Sequence, residues 1–224
     1  MNLTFHLAFS CTCRVNVTGN IHKETINIKM TIKAGRYILR NYKADDAEEL
    51  FRIFGDKQST WWWGWSKPYK TLKCVKEHIK NHKSYSDYSF GVGGIDGEII
   101  YTGRFINYEL AITFQNKLIG VVGVTKSLWE KWAELSYIIN KKWRSKGVVT
   151  TAVKSLCKDI FDDGDTQTII ISAMDINIAS CRVAEKCGFR KTDKFNDRDC
   201  HSHPLRIFEL TKQDYLLHLA DKAV

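Results

Sequence analysis

The chain has 224 residues, 44% of them hydrophobic, and a formal charge of +9, which suits one domain with a full core and excludes a largely disordered chain. No apolar run approaches the roughly 20 residues that span a bilayer, and the broken stretch from Leu3 to Phe9 follows no basic residue, so neither an anchor nor a signal peptide is expected. Seven cysteines without a C-x-x-C pair point to reduced thiols and a cytoplasmic protein, and the positive charge to an anionic ligand or partner.

Residues 1–29 mix Thr, Asn, Cys and His without a sustained period. They read as an extension, disordered or upstream of a true start at Met30, so the domain is expected over 30–224. A strand over 36–41 is followed by a helix over 45–54, with Ala47, Leu50, Phe51 and Phe54 inward and Gly55 as its stop. Next comes Trp61-Trp62-Trp63-Gly64-Trp65. Adjacent indoles cannot all face one core, so at least one is expected to be exposed or to line a cleft, unless the rings simply pack this loop onto the domain. Thr71 can cap a helix that sets Leu72, Val75 and Ile79 against Lys73, Lys76, Lys80 and Lys83, a basic face that is either solvated or a docking surface. A hairpin is expected over 89–105, turning at Asp96-Gly97, then an antiparallel pair over 108–114 and 117–124.

Residues 133–140 alternate as a half-buried strand, with Leu135, Tyr137 and Ile139 on one face and Glu134, Ser136 and Ile138 on the other. The period then changes. Val148, Val149, Ala152, Val153, Leu156, Cys157, Ile160 and Phe161 recur at helical spacing. Between the two lies Lys141-Lys142-Trp143-Arg144-Ser145-Lys146-Gly147, four cations ahead of a helix N-terminus. The first helical amides lack internal partners and carry the positive end of the dipole, so the turn reads as an anion cradle, although it fits neither G-x-x-x-x-G-K-[ST] nor G-x-G-x-x-G. A strand over 168–172, a helix over 177–187 closed by Gly188, and strands over 189–195 and 204–210 complete the chain. Asp199, Cys200, His201 and His203 lack a fourth ligand at a recognisable spacing, and no metal site is expected.

Arg144-Ser145-Lys146-Gly147-Val148-Val149 resembles the Q/R-x-x-G-x-G/A motif of GNAT N-acetyltransferases. Asn177-Ile178-Ala179-Ser180 with Arg182 through Phe189 resembles the N-x-x-S…EK-x-GF block of their RimJ/RimL-type branch, and Arg36 to Arg40 with Asp45-Asp46-Ala47 resembles that branch's opening. The resemblance covers about residues 36–212. It implies an α/β (α+β) fold: a mixed, mostly antiparallel sheet with two parallel strands splayed at its centre and helices on both faces. It also implies acetyl-coenzyme A as acyl donor, held by Ile138, Ile139, Asn140, Arg144, Ser145, Lys146, Gly147, Val148, Val149, Thr150, Asn177, Ser180, Arg182 and Lys186. Two departures stand out. Val149 replaces a small residue of the motif, and Ser136-Tyr137-Ile138 stands where relatives often have Gly-Tyr-Trp.

In that family the first splayed strand carries a bulge, the pantetheine arm lies in the gap, and the amine attacks the thioester without a covalent enzyme intermediate. The resemblance gives Glu134 as general base, against a plain surface carboxylate, and Ser180 as donor to the departing thiolate, against local capping; many relatives use a tyrosine four residues on, where this chain has Ala184. Trp61, Trp62, Trp63, Trp65, Tyr137, His201 and His203 are the candidates for contacting the acceptor. An α-amine with pKa near 7.8 is about 10% neutral at pH 7 and a lysine amine about 0.04%, a gap of roughly 3 kcal/mol, so a single modest base favours a protein N-terminus. A ribosomal protein is one such partner. The rivals are a small amine (polyamine, amino acid or antibiotic) and a non-catalytic coenzyme A-binding module docking to ribosome or RNA. Neither a membrane nor nucleic acid is the expected partner of the enzyme, which would act as a monomer or homodimer.

Overall fold

Long alternating runs rich in β-branched residues build the middle of the sheet. The computed structural model describes residues 23–26, 30–62, 68–81, 85–93, 99–200 and 203–221; the Asp96-Gly97 turn, Trp63, Trp65 and His201 lie outside them. Strands β5 (Ile99–Phe114), β6 (Lys117–Ser127) and β7 (Trp132–Ile139) form an antiparallel meander. Gln115 and Asn116, both at positive φ, make the tight turn between β5 and β6, as a two-residue hairpin loop demands. β4 (Tyr85–Gly93) extends the sheet beyond β5, and β1 (Lys23–Ile26), within the predicted extension, pairs with β4. On the other side follow β8 (Thr168–Met174), β10 (His203–Thr211) and β9 (Arg190–Cys200), giving the order β1-β4-β5-β6-β7-β8-β10-β9. A hairpin of β2 (Thr31–Ala34) and β3 (Tyr37–Arg40) joins β5 through β3; β2 is not among the predicted elements.

Alternation along the strands divides the core into two layers. On one face Leu110, Ile112, Val122, Val124 and Leu135 pack against α4 (Val148–Asp162) and α5 (Ile178–Lys186) through Ala152, Leu156, Ile160 and Ala184. On the other, Ala111, Val121 and Ile138 meet α1 (Ala47–Phe54) and α3 (Leu72–Asn81) through Leu50, Ile53, Val75 and Ile79. Each large apolar side chain so buried contributes about 1.5–3 kcal/mol. Two further helices, α2 (Lys57–Trp62) and α6 (Lys212–Ala220), are not among the predicted elements.

The functional consequence of the topology lies between β7 and β8. These parallel strands pair only at Trp132↔Thr168, Ala133↔Ile169 and Glu134↔Ile170. Beyond that point β7 stays with β6 as far as Ile139, and β8 stays with β10 as far as Met174, so the two part. The expected bulge in the first splayed strand is absent: β6 and β7 keep an unbroken register from Ser127↔Trp132 to Gly120↔Ile139. The parting instead follows from each strand holding its antiparallel neighbour in preference to the weaker parallel ladder.

Candidate active site

The gap between β7 and β8 opens into a cavity of about 640 Å³. Its floor is the backbone of β7 from Glu134 to Ile139, its far wall is β8 from Ile171 to Met174, and the N-terminal ends of α4 and α5 close two sides. The change of period at Gly147 builds the first of these ends. Gly147 sits at φ +73 as the residue before α4, and a Cβ built there would meet no atom within 4 Å. Space in front of the first amides of α4, those of Val148, Val149 and Thr150, is therefore open. Ser145, also at positive φ, and Arg144 line the same end. Val149 lines it too while packing on the core.

Not every member of the predicted cradle reaches the cavity. Asn140 caps the short turn Lys141–Trp143 by accepting from the Lys142 amide, and Lys146 rests over the Trp143 ring at 5.3 Å. Neither lines the cavity. Arg144 donates to Ser59 Oγ at 2.8 Å, Ser59 Oγ donates to Asp56 at 2.5 Å, and Lys141 Nζ lies 2.7 Å from the same carboxylate. Asp56 also accepts from the Ser59 amide at the start of α2. Partial burial pushes its carboxyl up, but hydrogen bonds from Lys141 and Ser59 outweigh this and hold it down at about 2. Because the shift is downward, the contribution of this tie is complete above the usual carboxylate range and is lost as pH falls towards 2.

Asp56 and Ser59 thus complete the basic turn, and no sequence pattern announces them, since the contact joins residues 85 positions apart. The Asp56 carboxylate competes for cations suited to a phosphate. Asp56→Asn is therefore expected to tighten binding of a diphosphate ligand about fivefold, from removal of roughly 1 kcal/mol of repulsion. Calorimetric titration with coenzyme A checks this, and weaker binding would show that the carboxylate is needed to shape the turn.

The second helix end brings Ser180 forward. The Asn177 side chain accepts from the Ser180 amide at 3.2 Å, which starts α5 and aims its first turn at the gap. Across the gap, Tyr137 Oη from β7 lies 2.9 Å from Ser180 Oγ and 3.2 Å from the Ser180 carbonyl oxygen, within reach of both with its one proton. Burial pushes the phenol well above its usual value despite the downward pull of that serine. Arg182, within α5, and Lys186, at its last residue, also line the cavity, and Ala184 faces the core.

On the opposite face of β7, Glu134 lines the cavity and is its sole acidic member among the described residues. Ser136 beside it buries a hydroxyl with no hydrogen-bond partner among the described residues. Removing such a group relieves a desolvation cost, so Ser136→Ala is expected to raise stability by about 1 kcal/mol, read as a higher Tm in thermal melts. Trp62 closes one side of the cavity, packed against Met174 and Leu205. Trp61, 37% exposed, stands edge-on to Trp62 at 4.5 Å and to His203 at 6.4 Å, and neither Trp61 nor His203 lines the cavity. Nearby cysteines stay protonated: burial raises Cys157 and Cys181 and pushes Cys187 up to about 12. These thiols are poor nucleophiles.

Residues 36–190 match the family profile described as an acetyltransferase (GNAT) domain. The chain belongs to the GNAT acetyltransferases. Among solved structures it is similar to a GNAT-family acetyltransferase from Bacillus anthracis, with TM-score 0.63 and 18% identity over 82% of this chain and 99% of that one. It is also similar to the microcin C7 self-immunity acetyltransferase MccE in complex with acetyl-CoA and AMP (TM-score 0.61, 18% identity, 79% of this chain, 93% of that one). A third is the acetyl transferase from Salmonella typhimurium that modifies the N-terminal serine of 50S ribosomal subunit protein L7/L12 (TM-score 0.61, 15% identity, 81% and 99%). At such identities the likeness is one of fold. No curated protein matches the sequence. As a GNAT enzyme the chain uses acetyl-coenzyme A, and its residues fit that donor: an open αL glycine before free helix amides suits a diphosphate, and the unpaired edge of β7 suits an amide-bearing arm. Among the described residues, no helix is long and apolar enough to cross a membrane.

Proposed function

We propose that this GNAT enzyme acetylates the α-amine of a protein N-terminus, in the manner of the RimJ/RimL branch, in the cytoplasm. The observation that carries the reading is the charge of the cavity among the described residues: one carboxylate, Glu134, against the cations Arg144, Arg182 and Lys186. A polycationic acceptor such as a polyamine or aminoglycoside calls for several carboxylates, whereas a single amine of low pKa needs one modest base. Bound acetyl-coenzyme A supplies the activated acetyl group as a thioester. Glu134 takes the proton of the acceptor ammonium, directly or through a water. Trp62, Met174 and Leu205 shield the acceptor side from solvent and accept the side chain next to the amine. Ser180 donates a hydrogen bond to the sulfur as the thiolate departs, and the first amides of α4 hold the diphosphate. The cysteines take no part. The similarity to an enzyme that modifies a ribosomal-protein N-terminus makes such N-termini the first acceptors to try.

Thiol release from acetyl-coenzyme A tests this with four acceptors: a peptide with a free α-amine, the same peptide blocked at its N-terminus but carrying lysine, spermidine, and an aminoglycoside. The free α-amine is expected to lead the lysine by about 100-fold in kcat/KM. Faster turnover of spermidine or the aminoglycoside would overturn the acceptor assignment. Absence of turnover with any amine, together with salt-sensitive RNA binding, would favour a docking module.

A further inference from the structure

A serine is a weak donor on its own, and α5 offers Ala184, wholly buried, where many relatives carry a tyrosine. The neighbouring strand supplies a phenol instead. Tyr137 Oη reaches Ser180 across the mouth of the gap, with Oγ at 2.9 Å and the main-chain carbonyl at 3.2 Å. Both residues line the cavity. We infer that Tyr137 is a positioning residue for Ser180, its O–H donating to Ser180 Oγ so that the serine's own O–H is turned into the cavity as donor to the coenzyme sulfur. The inference rests on the role given to Ser180 above.

The direction of this two-membered chain follows from its donors. A hydroxyl has one proton and can accept from another donor at the same time. If Ser180 gave its proton to the phenol and the phenol gave its own to the Ser180 carbonyl, the pair would close on itself and offer the sulfur nothing. Negative charge developing on sulfur favours the other arrangement, in which each hydrogen bond polarises the next. Burial keeps Tyr137 a phenol well past neutral pH, so it stays a donor. No proton leaves Tyr137, and the thiolate departs as a hydrogen-bonded anion. The phenol also spans β7 and α5, the two sides of the gap, and so fixes the serine relative to the strand along which the arm would lie.

The test uses the full chain as wild type, Tyr137→Phe, Ser180→Ala and the double variant, with melting temperatures to confirm that each is folded. The thiol of bound coenzyme A is titrated by the ultraviolet absorbance of its thiolate. The wild type is expected to lower the thiol pKa below that of free coenzyme A. Tyr137→Phe should raise it partway, and Ser180→Ala should erase the lowering, with the double variant matching Ser180→Ala alone. In turnover, Tyr137→Phe should lose about tenfold in kcat, the scale of one hydrogen bond, with KM for acetyl-coenzyme A unchanged. A wild-type thiol pKa and kcat in Tyr137→Phe would overturn the inference, as would effects that multiply in the double variant or a wild type that leaves the bound thiol at its free value. The acceptor assignment fails separately: it falls if the thiol pKa behaves as expected while no α-amine is acetylated.

Discussion

Gly147→Asp is expected to weaken acetyl-coenzyme A binding at least 100-fold while leaving the protein folded. Gly147 precedes α4 at φ +73, with nothing within 4 Å of a Cβ placed there. A new side chain therefore meets empty space, and its cost is the left-handed backbone, about 1–2 kcal/mol and less for Asp or Asn, which enter this region more readily than other residues. Binding is hit by a different force. A carboxylate about 4 Å from a phosphate at an effective dielectric of 20 is repelled by about 4 kcal/mol, and it takes up amides that would otherwise serve the ligand. Calorimetric titration of Gly147→Asp beside Gly147→Asn separates charge from strain. Asn should bind with a loss of tenfold or less; equal losses in the two variants would mean that backbone geometry, not charge, governs the cradle.

Glu134→Gln is expected to lower kcat at neutral pH by about 100-fold, the usual scale for a positioned general base. The isosteric amide keeps the shape of the acceptor side but cannot take a proton, so the variant depends on the fraction of acceptor already neutral. Its rate should climb with pH up to the pKa of the acceptor amine, narrowing the gap to the wild type, and KM for acetyl-coenzyme A should not move. A pH–rate profile of both proteins on one peptide decides the matter. A variant equal to the wild type at pH 7 would place the base elsewhere.

What could be read without coordinates was whatever depends on neighbours in sequence. The switch from period two at Leu135, Tyr137 and Ile139 to helical spacing after Gly147 locates the strand, the turn and α4, and Asn177 announces the start of α5 by its capping chemistry. Alternation also assigns Glu134 to one face of β7 and Tyr137 to the other. The remainder depends on distant contacts. The tryptophans at 61–65 mask the short helix α2, whose N-terminus is set by Asp56 and whose place is set by Arg144 and Lys141. β2 is too short to show a period and exists by pairing with β3. α6 leaves Leu216, Leu217 and Leu219 half exposed, so its apolar residues do not mark one buried face. The tyrosine–serine contact joins residues 43 apart, and the parting of β7 and β8 without a bulge is set by neighbouring strands rather than by any residue at the site.

α2 is only six residues long, yet it touches both halves of the cavity. Asp56 and Ser59 hold its beginning to the cationic turn, and Trp62 at its end lies on Met174 and Leu205. So short a rod transmits displacement rather than absorbing it: on the proposed function, a ligand that draws Arg144 towards itself also moves the Trp62 indole on the side given to the other substrate. Affinities coupled in this way change by the same factor whichever partner arrives first. The dissociation constant of the acceptor measured with coenzyme A present should then differ from that of the apo protein, and by the same ratio as the constants of coenzyme A measured with and without acceptor.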